Sequence, residues 1–314
     1  MDERLATVAR SRGGVFTSAM ATAVDVDDCA LARWRRTQEV IRVRRDAYVL
    51  GELWSTATPE QRLALRTRAV LATRPDDVAS HQSALALHGL PMHDLDLVTV
   101  DVMSNVTRVR MASGLRIHAE RPDAGHVVAD GYRAVDIPVA ISQVLVRSGL
   151  GAALVPLDAA LHRGRCHIDE VSTALDARCT TARLRARGHQ LVLRADPACE
   201  SVGETRTRPL LTDHGLPVRS QVELSDELGG LVGRVDLLVG EQVIVEFDGA
   251  VKYEGVEGRA ALVAEKRRED ALRALGHVVV RVTWADLASP ARVIAQIRRA
   301  MAGLSARDGR VSAS

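Results

Sequence analysis

The sequence predicts an α+β chain built from several domains, and three observations carry that expectation. Helical apolar spacing and strand alternation both occur, mixed differently along the chain. The 314 residues exceed what one small core organises. Near residue 200 the pattern changes to a compact run: a helix, three strands, a long helix, a strand and a last helix. Domains are therefore expected at 1–52, 53–195 and 196–306, with 307–314 as a disordered tail.

Composition excludes some classes. A hydrophobic fraction of 46% is ordinary for a globular protein, and an aromatic fraction of 3% leaves Leu, Val and Ala to build the core. The first residues, MDERLATVAR, are charged and lack an apolar h-region. No apolar run approaches the ~18 residues of a membrane span. A cytoplasmic protein with no membrane partner is the expectation. Cys29, Cys166, Cys179 and Cys199 are far apart, which fits reduced thiols better than a zinc knuckle or a disulfide framework.

Residues 1–52 read as a helical head with a terminal hairpin. Leu5, Val8 and Ala9 mark the face of a first helix closed by Gly13-Gly14. Thr17 or Ser18 can cap a second through Val24, and Asp27 or Asp28 a third carrying Leu31 and Trp34. Val40–Arg44 and Ala47–Leu50 then flank Arg45-Asp46 as a short hairpin. Three helices followed by a hairpin is the order of a winged helix-turn-helix, whose third helix enters the major groove. Net charge is only +2, yet Arg33, Arg35, Arg36, Arg42, Arg44 and Arg45 crowd that helix and hairpin against Glu39 alone. Such a patch neutralises phosphates; the rival reading is a solvated face.

In the middle section, residues 77–89 read as one helix with a Gly stop, and Leu97–Val102 and Leu115–His118 as strands. Residues 136–150 and 152–163 return to helical spacing, ended by Gly149 and Gly164. His81, His88 and His93 lack the i, i+4 spacing of helical metal ligands, so ordinary histidines are expected and no chemistry is assigned there. The helical head, with SHQSALALHGLP, YRAVDIPVAISQVL and LDAALHRG after it, resembles the AbiEi family of antitoxins from type IV toxin–antitoxin pairs. The resemblance covers roughly the first half of the chain. It implies DNA and a toxin protein as partners.

After residue 200, helix 201–215 begins with Ser201 and Glu204, and strands follow at Arg219–Leu224, Gly233–Val239 and Val243–Asp248. Helix 258–275, strand His277–Val282 and helix 290–303 complete the unit. The tight Gly240-Glu241 turn makes the second and third strands antiparallel neighbours, able to bring Asp236 and Glu246 to one end or face of the sheet. Asp248 shares the face of Glu246 by the two-residue period. Carboxylates crowded together raise one another's pKa unless a cation resides there, and Mg²⁺ or Mn²⁺ fits that demand beside a substrate phosphate. Of the 42 basic residues only Lys252 and Lys266 are lysines, and both follow EFDG closely. Either could stabilise the charge of the reacting phosphoryl group.

The segments GETRTRPLL, GRVDLLV, VIVEFDGAVKY, EKRREDALRALGH and VVRVTWADL resemble the PD-(D/E)XK nuclease superfamily, in the branch related to very-short-patch repair endonucleases. The resemblance spans about 100 residues. It implies a restriction-endonuclease-like α/β core around a mixed central sheet, with Asp236 and Glu246 as metal ligands and Asp248 as third ligand or water holder. The family's lysine position, two after the Glu, holds Asp248 here. Its role therefore passes to Lys252 or Lys266, or is lost. Glu204 could reach the metal as a further catalytic carboxylate, and rival readings accompany several residues: Ser201-x-x-Glu204 is equally a capping box, Asp248-Gly249 a turn pair, and Lys266 part of a solvated helix face. Two functions are in view. One is a DNA-binding, Mg²⁺-dependent endonuclease; the other is a non-catalytic, antitoxin-like transcriptional regulator that keeps a decayed nuclease fold as a binding platform.

Overall fold

The computed structural model describes residues 1–119, 125–249 and 256–311, with side chains of the last stretch described from 265 to 304. The chain divides into two compact units, Met1–Ala195 and Asp196–Ser314.

The first unit opens with α1 (Glu3–Ser11), β1 (Val15–Thr17), α2 (Ser18–Thr22), α3 (Asp28–Arg36), β2 (Val40–Arg44) and β3 (Ala47–Leu50). Side chains of Asp2, Thr17 and Asp27 cap the three helices by accepting backbone N–H groups. Leu5, Phe16, Leu31, Trp34 and Leu50 share one core. Strand β1 was not visible in the sequence; it pairs antiparallel with β3, giving a three-stranded sheet in the order β1-β3-β2. Val15, Ala47 and Val49 of this sheet pack on Leu65 and Ala69, so the head shares a core with the section after residue 52.

The unit continues with α4 (Gly51–Thr56), α5 (Pro59–Thr73), β4 (Val78–Ala79), α6 (His81–Leu87), β5 (Val100–Ser104), β6 (Arg110–Ala112), β7 (Leu115–Ala119), β8 (His126–Ala129), β9 (Tyr132–Val135), α7 (Ile137–Ser148), α8 (Leu150–His162), α9 (Ile168–Arg178) and α10 (Ala182–Arg194). Its six-stranded mixed sheet runs β6-β7-β5-β4-β9-β8. The helix expected over 77–89 is divided: Val78-Ala79 is a strand, pairing antiparallel with β5 and parallel with β9, and the helix starts at His81. Sheet pairing overrides the local helical pattern there.

The second unit contains α11 (Val202–Thr212), β10 (Val218–Ser225), β11 (Leu231–Val239), β12 (Val243–Asp248), α12 (Val256–Ala274), β13 (Val278–Thr283), α13 (Trp284–Leu287) and α14 (Pro290–Val311). Helix α14 runs into the stretch expected as a tail. The sheet is mixed, in the order β10-β11-β12-β13, antiparallel except for the parallel pair β12–β13. One face packs Leu237, Val239, Val243, Val245 and Val280 with Ile297 of α14; the other packs Val235, Leu238 and Ile244 on Leu272 of α12.

Those two faces reveal a slip. A regular strand puts residues 235 and 237 on one side, yet Val235 lies with Leu238, and Leu237 with Val239. Alternation therefore changes phase at Asp236. On β10, Gln221 stands between the partners of Leu237 and Val235, and its φ is +52°. Left-handed backbone at a non-glycine residue is costly and points to a local constraint.

Close approach fixes α11 over β12. A Cβ built on Gly203 would stand 2.0 Å from the ring of Phe247, so only glycine lets helix and strand meet there. Gly203→Ala is expected to destabilise the protein by about 1–3 kcal/mol through overpacking, read as a lower midpoint in urea with an unchanged slope.

Candidate functional site

Asp236, Glu246, Phe247 and Asp248 line one cavity of about 800 Å³, closed on its other side by Glu265, Lys266, Arg268 and Glu269 of α12. The turn at Gly240 and the antiparallel register of β11 with β12 bring the first two carboxylates to it. At the phase slip, the backbone N–H of Phe247 donates to Oδ2 of Asp236 at 2.9 Å, so a side chain receives a sheet N–H.

Burial pushes the carboxyl of Asp236 up to about 6, and the negative charges of Glu204 and Glu246 add to that effect, against the Phe247 N–H and the Arg268 charge. Glu204 is only 4% exposed. Its N–H donates to Ser201 Oγ at 3.2 Å, as in a capping box, but its carboxylate turns elsewhere. Oε2 accepts from the Glu200 N–H at 3.0 Å and from Gln221 Nε2 at 2.8 Å. The strained Gln221 thus delivers its amide to the third carboxylate.

The cation at Glu246 is an arginine. Arg268 donates to Glu246 at 2.7 Å and to Glu265 at 2.9 Å, and its Nη1 reaches the Arg234 carbonyl at 3.3 Å. Its aliphatic stem passes over β11, where a Cβ on Gly233 would lie 3.2 Å from Arg268 Cδ. The hydrogen bond that Arg268 donates to Glu265, helped by Glu246 and opposed by burial, raises the guanidinium pKa further. Arg281 extends the network, bonding Glu265 at 3.2 Å and Glu269 at 2.8 Å. Lys266 is exposed on the cavity rim, and Lys252 lies outside the described residues.

The three-carboxylate cluster expected from the sequence is not formed. Among the described residues, the group of three metal-type ligand atoms within 4.8 Å of one another is His81, Asp101 and His118, in the first unit. Asp248 shares the cavity with Asp236 and Glu246 but stands exposed at the end of β12, two residues and about 6–7 Å of strand rise past Glu246. Asp236 and Glu246 share the cavity lining, and Glu204 lies close enough for its charge to act on Asp236.

The His81–Asp101–His118 group was not anticipated, because it converges from α6, β5 and β7. Asp101 inside the apolar run VTVDVM was the one signal in the sequence. By ligand type and spacing the group could hold a metal ion. Two features work against that use. The imidazoles of His81 and His118 stack at 4.1 Å with planes 23° apart, so their in-plane lone pairs do not aim at one point. Asp101 is fully buried and already accepts from His118 at 2.6 Å, Arg116 at 3.3 Å, Arg147 at 2.5 Å and Gln82 at 2.6 Å. Burial alone would raise its carboxyl, but the His118 hydrogen bond and the Arg147 charge hold it below the usual range.

In the head, Arg33, Arg35, Arg36, Arg42 and Arg45 are exposed. Arg44 is half-buried and donates to the Ser113 carbonyl at 2.8 Å, tying β2 to the β6–β7 turn. No helix among the described residues is long and apolar enough to cross a membrane.

No family model matches the chain. Similar proteins include uncharacterized proteins MT2308 and Rv2248 of Mycobacterium tuberculosis, strains CDC 1551 and H37Rv. Each is 29% identical over 233 residues, covering 71% of this chain and 80% of the relative.

The site yields two expectations. A carboxyl whose folded pKa is raised contributes stability below its unfolded value and loses it as pH rises through about 6. Asp236→Asn, which keeps an acceptor for Phe247, is therefore expected to melt higher than wild type above pH 6 and at the same temperature near pH 4. Asp101→Ala leaves two guanidiniums facing a vacated site and is expected to cost about 3–5 kcal/mol in urea unfolding.

Proposed function

We propose that this chain is a DNA-binding endonuclease whose second unit hydrolyses phosphodiester bonds with a divalent cation, Mg²⁺ or Mn²⁺, held by Asp236 and Glu246. One observation carries the reading. Two strand carboxylates share a solvent-reaching cavity, and burial with neighbouring negative charge lifts Asp236 to about 6. That arrangement is costly for a purely structural carboxylate and suits a cation. Bound there, the ion supplies charge neutralisation and Lewis-acid polarisation of a phosphoryl oxygen.

The chain's own residues supply the rest. Arg268 takes the part that the family resemblance gives to lysine, since a planar guanidinium can donate to a carboxylate and a phosphoryl oxygen together. Lys266 and Arg234 on the cavity lining favour approach of a polyanion. Asp248, exposed at the strand end, would hold a water in this reading. In the head, the order α1-β1-α2-α3-β2-β3 supports a winged helix-turn-helix, with α3 in the major groove and Arg42 and Arg45 on phosphates.

A specific observation favours a second reading. Glu246 is already neutralised by Arg268, so the site is partly charge-balanced without an ion. The chain would then be a non-catalytic, antitoxin-like regulator, binding DNA through the head and a toxin protein through its other surfaces.

Supercoiled plasmid with Mg²⁺ or Mn²⁺ separates the two. Nicking by wild type, lost in Asp236→Ala and Glu246→Ala and abolished by chelator, is the expected outcome. Equal nicking by all three proteins, or none by any, is the outcome that rejects it. Separately, replacing Arg42 and Arg45 together by Ala is expected to reduce the slope of log affinity against log salt by about 2, measured by anisotropy on duplex DNA.

A further inference from the structure

We infer that Trp284, clamped by Phe247 and Arg206, is a stacking site for an unpaired nucleobase of the strand whose phosphate reaches the carboxylate cavity. The inference rests on the nucleic-acid reading above and adds to it a substrate class, a strand with an unstacked base.

Position comes first. Trp284 begins α13, one residue past Thr283, and Thr283 is the register partner of Asp248 across the parallel β12–β13 pair. The indole therefore stands at the same strand ends as Asp248, which lines the cavity. Phe247 connects the two places. It lines the cavity and bonds Asp236 through its N–H, while its ring, on the other face of β12 from Glu246, meets Trp284 at the strand end, centroids 4.7 Å apart at 73°.

Exposure comes second. Trp34 is buried in the head core at 6% exposed, and Trp54 lies under the guanidiniums of Arg62 and Arg66. Trp284 is 43% exposed. Leaving indole surface in water forfeits burial energy in a chain with few aromatics. Even so, the ring is held: Phe247 meets it in a T-shaped contact, and the Arg206 guanidinium carbon lies over it, 5.9 Å from the centroid. A pre-positioned aromatic flanked by arginine is the pairing that holds single-stranded nucleic acid, the base on the ring and the cation near its phosphate or π-face.

A protein partner fits less well. Docking surfaces of proteins gather several apolar residues over hundreds of Å². Beside Trp284 stand Thr283 and Asp286, which close a capping box with each other, and the exposed Ala285. One partly exposed ring held in place matches one base.

The test uses full-length protein in chelator, so that cleavage cannot intervene, and a labelled single-stranded oligonucleotide with and without one abasic position. Anisotropy gives the affinity of wild type, Trp284→Ala, Trp284→Phe and Arg206→Ala. Trp284→Ala is expected to bind about 5- to 150-fold more weakly, with Trp284→Phe restoring most of the loss and Arg206→Ala losing a smaller part. Scanned along the strand, the abasic position should at one place weaken wild type by a similar factor and leave Trp284→Ala unchanged. Equal affinity of wild type and Trp284→Ala for the intact strand, with both melting alike, overturns the stacking site. Plasmid nicking by both would then leave the nuclease reading standing. Absence of any strand binding by wild type overturns the stacking site as well, and plasmid nicking again decides the nuclease reading by itself.

Discussion

An acidic side chain at a break in the sheet governs the second unit. At Asp236 the alternation of β11 slips, the opposed strand residue Gln221 adopts a left-handed backbone, and a Phe247 N–H turns to the carboxylate. Water is largely removed from the group and Glu204 sits nearby, so ionisation is opposed from two directions. The surroundings answer with directed donors and a guanidinium. Gln221 serves Glu204, and Arg268 serves Glu246. Local rules are broken together at one point, with compensation built around them, the pattern expected where stability is given up for a site.

The choice of arginine shapes how such a site responds to pH. A guanidinium stays protonated throughout the physiological range, so Arg268 can clamp and orient but cannot shuttle a proton. Burial pushes Asp236 up to about 6, toward neutrality. The salt-bridge chain from Glu246 through Arg268, Glu265 and Arg281 to Glu269 also couples the cavity to α12 and β13. Moving any one of these groups redistributes charge at the others.

Much of the second unit was legible in the sequence because its signals are local. Period-two runs gave β10 to β13, period 3.6 with Gly276 gave α12, and the Gly240 turn fixed the antiparallel pairing of β11 with β12. What failed depended on distant partners. The two-residue strand β4 exists only through β5 and β9, and its residues look helical alone. Arg268 hides in EKRRED, a run that reads as a solvated face, because its target lies 22 residues away on another element. Glu204 satisfied the capping pattern halfway: its N–H follows it and its carboxylate does not. The buried network around Asp101 draws on α6, β5, β7 and α7, and no spacing along the chain encodes that meeting.

Binding of Mn²⁺ followed by titration calorimetry at pH 8 tests the central claim most directly. One ion per chain is expected for wild type, with binding lost in Asp236→Asn and Glu246→Gln and retained in His118→Ala. Absence of binding, or binding that survives both carboxylate changes and disappears with His118→Ala, would contradict it.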